Sequence, residues 1–164
     1  VGGFSIDLVR MKSEKVNSLI LKVLGPFMRQ SEEHGFTGLP FYALGAGLSI
    51  LFFQKDIALI SIMFLVFADP IASFVGVNLG KDKILPNKSL QGTMASFFVC
   101  CIVTFLYLKE HGISSFDLIL FSLCAGIVGA VSELASAFNI DDNLTIPVLS
   151  GAGLTVLNYL FKIL

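Results

Sequence analysis

Five stretches of this chain, each about 20 residues long and almost free of charge, have the length an α-helix needs to cross the hydrocarbon of a bilayer. They run Gly35–Gln54, Ile57–Gly80, Ser89–Leu108, Leu118–Ile140 and Asn143–Phe161, and short connections join them. The composition agrees: 55% of residues are hydrophobic, 14% are charged and the mean hydropathy is +0.85. A chain of this kind is built for lipid rather than water. The predicted fold is all-α, a polytopic membrane helix bundle with about five transmembrane helices.

An amphipathic segment precedes the first window. Val16, Leu19, Ile20, Val23, Leu24, Phe27 and Met28 recur at three-and-four spacing with Lys15, Lys22 and Arg29 between them, a pattern that predicts an interfacial helix. Gly25 and Pro26 are expected to bend it. The opening V-G-G-F carries no Met and no signal pattern, so Val1–Phe4 reads as the tail of an upstream span. Residues 1–164 read as a single membrane-embedded domain that lacks its upstream N-terminal helix or helices.

The net charge of −1 excludes a large basic surface for nucleic acid, so the distribution of charge is what informs. Counting Lys and Arg on alternate sides of the spans gives Arg10, Lys12, Lys15, Lys22, Arg29, Lys81, Lys83 and Lys88 against Lys55, Lys109 and Lys162. The richer side is expected to face the cytoplasm. Cys100, Cys101 and Cys124 lack metal-ligand spacing and read as small buried hydrophobes. His34 and His111 have no partner pattern and read as surface residues.

Two acids lie inside apolar windows, Asp69 and Glu133. Each costs about 2.5–3.5 kcal/mol on insertion scales, so function is the default reason for keeping it. Asp69, Ser73, Gly76 and Gly80 share one helix face. That face is also the small-xxx-small pattern through which two membrane helices touch, within or between chains. Lys81, Lys83 and Lys88 follow at its end, and Ser89 is placed to cap the third span. A side-chain-free face, cations and the open N–H groups of a helix start together suit a polyphosphate. The loop is not a Walker motif, since Gly80-Lys81 is followed by Asp82.

The last loop brings Asp141, Asp142 and Asn143 to the same side, with Glu133 about two turns inside it. Helix-start chemistry accounts for part of this, with Asn143 or Thr145 capping and Pro147 in the first turn. Two adjacent acids facing a lysine loop also suit Mg²⁺ bound by few carboxylates together with nucleotide phosphates. Arg29, Glu32, Glu33, Thr37 and Gly38 precede the first span on that side, and Asp7 with Arg10 reads as an interfacial salt bridge.

These residues resemble the family of CTP-dependent lipid kinases that includes dolichol kinase, phytol kinase and the CTP-using diacylglycerol kinase. The resemblance covers most of the chain. Its blocks are D-x-x-R (Asp7 to Arg10), M-R-x-x-E (Met28 to Glu32), T-G (Thr37, Gly38), D-P-x-A-S-x-x-G-x-x-x-G-K (Asp69 to Lys81), K-S-x-x-G-T (Lys88 to Thr93) and E-x(7)-D-D-N-L-T-I-P (Glu133 to Pro147). The Arg-Lys pair that members carry near the N-terminus has no match here. The resemblance implies a membrane-embedded catalytic domain that transfers the terminal phosphate of CTP to a lipid alcohol, with Mg²⁺, at the cytoplasmic face. Asp69, Glu133, Asp141 and Asp142 are then the catalytic candidates, with Asp69, Asp141 and Asp142 as metal ligands. Arg10, Arg29, Gly76, Gly80, Lys81, Lys88, Ser89, Gly92 and Asn143 are the candidates for nucleotide contact.

Two alternatives accompany this expectation. The Asp69–Lys81 and Lys88–Gly92 blocks are also similar to those of phosphatidate cytidylyltransferase, which joins CTP to phosphatidate through the α-phosphate. A small transporter whose intramembrane acids carry ions is the other, opposed by the lack of an internal repeat.

Overall fold

The computed structural model describes residues 2–24, 32–33, 35–112, 115–136 and 141–164. Arg29, His34 and the Gly25–Met28 portion of the amphipathic segment lie outside these residues. The chain divides into two compact units, Val1–Leu44 and Gly45–Leu164.

The first unit holds α1 (Gly2–Lys12), α2 (Glu14–Leu24) and the start of α3 (Gly38–Phe52). Helix α1 stands where the sequence suggested only the tail of a span. Every residue of α2 whose side chain is described is exposed or half-buried, and Leu19 is left open, as an interfacial helix requires. The Asp7–Arg10 ion pair forms, at 3.3 Å, and it lies inside the unit rather than on its surface. The second carboxylate oxygen of Asp7 accepts from both the N–H and the hydroxyl of Thr37. Phe4 meets Phe36 and Phe41 edge-on beside it.

The second unit is a helix bundle. A continuous span, Lys55–Leu79, comprises α4 (Lys55–Met63), a π-helical turn (Phe64–Ala68) and α5 (Asp69–Leu79). A two-stranded hairpin of β1 (Lys83–Leu85) and β2 (Lys88–Ser89) leads into α6 (Leu90–Glu110), followed by α7 (Ser115–Ala135) and α8 (Asp142–Phe161). Among the described residues, four helices are long and apolar enough to cross a membrane, and the chain is a multi-pass membrane protein. The first expected window yields the shorter α3, 15 residues ending at Phe52.

The packing is that of a protein in lipid, where burying apolar surface brings no preference for protein over solvent and close fit decides. Large residues face outward at Phe98, Ile102 and Leu106 of α6 and at Ile119, Leu123, Ile127 and Val131 of α7. Small residues carry the helix contacts. Gly129 leaves room for Cys100, and Gly126 for Cys101. Cys100 is therefore buried as a small hydrophobe, and the three cysteines are free thiols. Ser122, Ser132 and Ser150 satisfy their hydroxyls on carbonyls four residues back, those of Leu118, Val128 and Ile146, so these three need no partner from lipid.

A π turn lies inside the first long span. The Asp69 N–H bonds the Phe64 carbonyl, five residues back rather than four, so the turn takes one more residue than an α-helical one. The buried face runs through it as Ala58, Ser61, Phe64, Leu65, Ala68, Asp69 and Ala72. Pro70 follows at once; lacking an N–H and crowding the preceding turn, it favours a widened turn there. Deleting Phe67 is expected to restore α-helical register and turn the Asp69 face toward lipid by about 100°. The protein should still insert, with its thermal midpoint in detergent lowered by about 6–12 °C, the equivalent of a lipid-facing acid. Phe67→Ala should shift it by no more than about 3 °C. A deletion variant as stable as the parent would show that the extra residue does not set the register.

Candidate functional site

A pocket of about 220 Å³ opens where α5 ends and α6 begins. Helix α5 contributes Ala72, Ser73, Gly76, Val77 and Gly80, the hairpin contributes Lys83, Asn87, Lys88 and Ser89, and Gly92 of α6 and Glu133 of α7 complete it. The wall therefore combines a helix face with little side chain, two lysines, an amide and a carboxylate.

Local chemistry builds each wall. Gly80 leaves α5 in an extended conformation, and the N–H groups of Lys81 and Asp82 both donate to the Gln91 side-chain oxygen at 3.2 and 3.3 Å. The Gln91 amide returns a bond to the Asp82 carboxylate at 2.7 Å, and Leu90 N–H bonds the Asp82 carbonyl. The first turn of α6 thus grips the chain leaving α5, and β1 and β2 fold back between them, with Pro86 and Asn87 at the turn. Ser89 caps α6 as its sequence predicts, its hydroxyl accepting from Gly92 N–H at 3.2 Å.

The charges meet below the hairpin. Lys88 Nζ lies 2.7 Å from Glu133 Oε1, and Thr93 donates its hydroxyl to Glu133 Oε2 at 3.2 Å. Glu133 is 4% exposed. A buried acid near the end of α7 is tolerable because an ammonium and a hydroxyl answer its two oxygens. Glu133 stands two residues before α7 ends at Ala135, nearer the helix end than a window running to Ile140 implied.

The sequence-derived candidates separate in space. Gly76, Gly80, Lys88, Ser89, Gly92 and Glu133 come together on the pocket wall. Lys83 takes the place expected of Lys81, whose exposed side chain is not part of the wall and whose backbone is tied to Gln91. Asp69 is buried, 8% exposed, one turn deeper along α5 than Ala72 and Ser73, and it does not face lipid. Asp141, Asp142 and Asn143 do not line the pocket. They form the start of α8, where Asp141, rather than Asn143 or Thr145, is the cap: its Oδ1 accepts the Asn143 N–H at 3.0 Å and the Asn143 side-chain amide at 2.9 Å. Thr145 instead donates to the Asp141 carbonyl. Pro147 sits inside the helix beside Gly45 rather than in its first turn.

Arg10 belongs to the first unit, where it is 1% exposed. Its guanidinium donates to Asp7, to the Asn17 side chain and to the carbonyls of Glu33 and Gly35. Donors committed in this way organise the protein and leave little for a phosphate. Arg29 lies outside the described residues. Among the described residues, no three His, Cys, Asp or Glu side chains gather as a metal cluster.

Sequence reasoning passed over Asn87, Gln91 and Val77, and named Thr93 only as the end of a block. Val77 is 85% exposed yet lines the pocket, so the pocket has a rim on the lipid-facing side of α5. The one signal available for Gln91 was its place two residues into a capped helix beside a basic loop, which does not identify a partner nine residues back.

The glycine face serves helix contact as well as the pocket. A Cβ on Gly92 would lie 2.8 Å from the Ala72 carbonyl oxygen and 3.3 Å from Gly76 Cα, so α5 and α6 touch backbone to backbone.

A family model described as "Cytidylyltransferase family" matches residues 5–138. The chain is similar to CTP-dependent diacylglycerol kinase 1 of Saccharomyces cerevisiae, 35% identical over 97% of this chain and 61% of the relative. It is similar also to the proteins of the same name from Eremothecium gossypii, 36% identical over 88% of this chain and 52% of the relative, and Schizosaccharomyces pombe, 34% over 92% and 73%. The chain thus spans about half to three quarters of the length of these relatives. No solved structure matches it.

The Gly92 contact yields a stability prediction. Gly92→Ala must push α5 away from α6, and the overpacking is expected to lower the thermal midpoint in detergent by about 3–10 °C. At Gly47 a Cβ would meet nothing within 4 Å, and Gly47→Ala should leave the midpoint within about 2 °C. Equal effects of the two substitutions would refute the close seam.

Proposed function

The chain belongs to the cytidylyltransferase family, in the branch of the CTP-dependent lipid kinases, and from that premise we propose that it transfers the γ-phosphate of CTP to the hydroxyl of diacylglycerol. The observation that carries the proposal is the pocket itself. Lys83 and Lys88 stand beside the near-bare face of Gly76 and Gly80, at the end of a membrane span, and Val77 leaves the rim open toward lipid. A water-borne polyphosphate and a lipid hydroxyl both reach such a place. The names of the relatives supply CTP and diacylglycerol as the pair of substrates.

Phosphoryl transfer asks a protein mainly for positioning and charge neutralisation. Lys83 and Lys88 would offset the triphosphate charge, and Gly76 and Gly80 would let its oxygens approach backbone. The capped start of α6 adds N–H groups and the positive end of a helix dipole. The lipid hydroxyl oxygen attacks the γ-phosphorus, the bond to the β,γ-bridging oxygen breaks, CDP departs and the hydroxyl proton is released. We assign Asp69, buried on the pocket helix one turn below the wall, to accept that proton or to hold the metal.

Mg²⁺ fits this donor set. It commonly takes only one or two carboxylates, with phosphates and water completing its shell, and the absence of a three-acid cluster among the described residues is consistent with that. Asp69 would hold it. Asp141 and Asp142 each already offer an oxygen to the Asn143 N–H, which favours a structural part for them. Bound with CTP, the ion would neutralise charge between the β- and γ-phosphates. The excess of Lys and Arg in the leading segment and the Lys81–Lys88 loop, counted along the sequence, is the support for a site on the cytoplasmic side.

The test supplies CTP labelled at the γ- or the α-phosphate to membranes holding the full-length protein and diacylglycerol. Label should enter lipid from the γ position alone; entry from the α position would establish cytidylyl transfer, and entry from neither would remove the enzymatic reading. Asp69→Asn should cut turnover by about 100-fold or more while the protein remains inserted. Near-normal turnover in that variant would dismiss Asp69 from the reaction.

A further inference from the structure

Glu133 has both carboxylate oxygens engaged, Oε1 by Lys88 at 2.7 Å and Oε2 by the Thr93 hydroxyl at 3.2 Å. All three side chains are largely withdrawn from solvent: Glu133 and Thr93 are buried and the Lys88 side chain is 14% exposed. A carboxylate held on both oxygens would have to surrender a partner before it accepted a proton or bound a metal. Its arrangement is that of a group that holds another in place.

Lys88 needs holding. It is carried by a two-residue strand, and its four-carbon stem has many rotamers to lose. The terminal torsion of a glutamate is broad as well, so Glu133 alone fixes the ammonium poorly. Thr93 differs from both. It lies in the opening turns of a 21-residue helix, carries its hydroxyl on a single torsion with two helical rotamers, and therefore aims it from a firmer base.

We infer that Thr93 is a positioning residue: by orienting Glu133 it fixes the Lys88 ammonium on the pocket wall, where the triphosphate would meet it. The inference rests on the proposed CTP site and adds to it a chain of three side chains drawn from the hairpin, α6 and α7. It also assigns Glu133 to positioning rather than to proton transfer or metal binding. Lys88 touches the nucleotide in this scheme, whereas Thr93 and Glu133 act through it.

The test compares Thr93→Val, which keeps shape and removes the hydroxyl, with Thr93→Ser, which keeps the hydroxyl, in the full-length membrane protein. The first readout needs no turnover. Acetylation of Lys88 by a water-soluble amine-reactive ester, followed by mass spectrometry without nucleotide, should be about tenfold faster in Thr93→Val, the weight of one hydrogen bond to a charged group. Thr93→Ser should remain within about twofold of the parent. The second readout is kinetic: Thr93→Val should raise the KM for CTP about tenfold with kcat and the KM for diacylglycerol little changed. In a Lys88→Ala background, Thr93→Val should add no further increase, because its route is gone.

Unchanged Lys88 labelling in Thr93→Val overturns the inference, as does equal loss in the Ser and Val variants or additivity with Lys88→Ala. If Thr93→Val does not accumulate in membranes, Glu133→Gln takes its place, with the same labelling and the same non-additivity expected. A protein whose Lys88 labelling responds as described, but whose parent form moves no phosphate from CTP, would retain the three-residue chain and lose the proposed reaction.

Discussion

A buried ammonium and carboxylate 2.7 Å apart at one end of a helix bundle are the contact on which the architecture of the site depends. In that setting neither charge is tolerable alone, and removing either partner leaves the other stranded in a medium that solvates it badly. The pair therefore does what loop geometry would not do unaided: it draws a short polar hairpin down onto the bundle. The Thr93 hydroxyl brings α6 into the same contact. Hairpin, α6 and α7 are consequently fixed to one another at the place where the pocket opens.

Two backbone features bring α5 to meet them. The π turn at Phe64–Ala68 lies in the span that carries Asp69 and Ala72 inward and Gly76 to the pocket wall. Gly76 and Gly92 then let α5 and α6 approach backbone to backbone. The glycines do not have to be divided between helix packing and ligand approach. A seam without side chains is close where the helices cross and open where they diverge, and the pocket occupies the opening. Elsewhere in the bundle serine, cysteine and glycine sit among buried Phe64, Phe121, Leu108 and Leu154, and further large aliphatic and aromatic residues face outward.

Much of this was legible in the chain. Apolar windows, the acids within two of them, the cation-rich side and the Ser89 cap follow from local pattern, and each block of the family resemblance is local as well. What was read less well depended on phase or on partner. The spacing from Asp69 to Gly80 placed those residues on one face but could not say which way that face turned. The lysines of the loop were visible as a group, yet Lys83 rather than Lys81 lines the pocket because the hairpin fold selects among them. Arg10 carried the charge expected of a phosphate ligand and is instead occupied by Asp7, Asn17 and two carbonyls of its own unit.

The sequence by itself determined that this is a membrane helix bundle, which end of it is polar and cationic, and to which family it belongs. Hydropathy, charge and motif spacing are sums and intervals along one dimension, and the bilayer reads them in that form. Only the tertiary structure decided that Lys88 is matched with Glu133, that Thr93 stands behind them and that Asn87 and Val77 border the pocket. Thr93 and Glu133 are 40 residues apart in the chain, and no local preference records a distance between two helices. It is set by where small residues let backbones touch, as at Gly126 and Gly129.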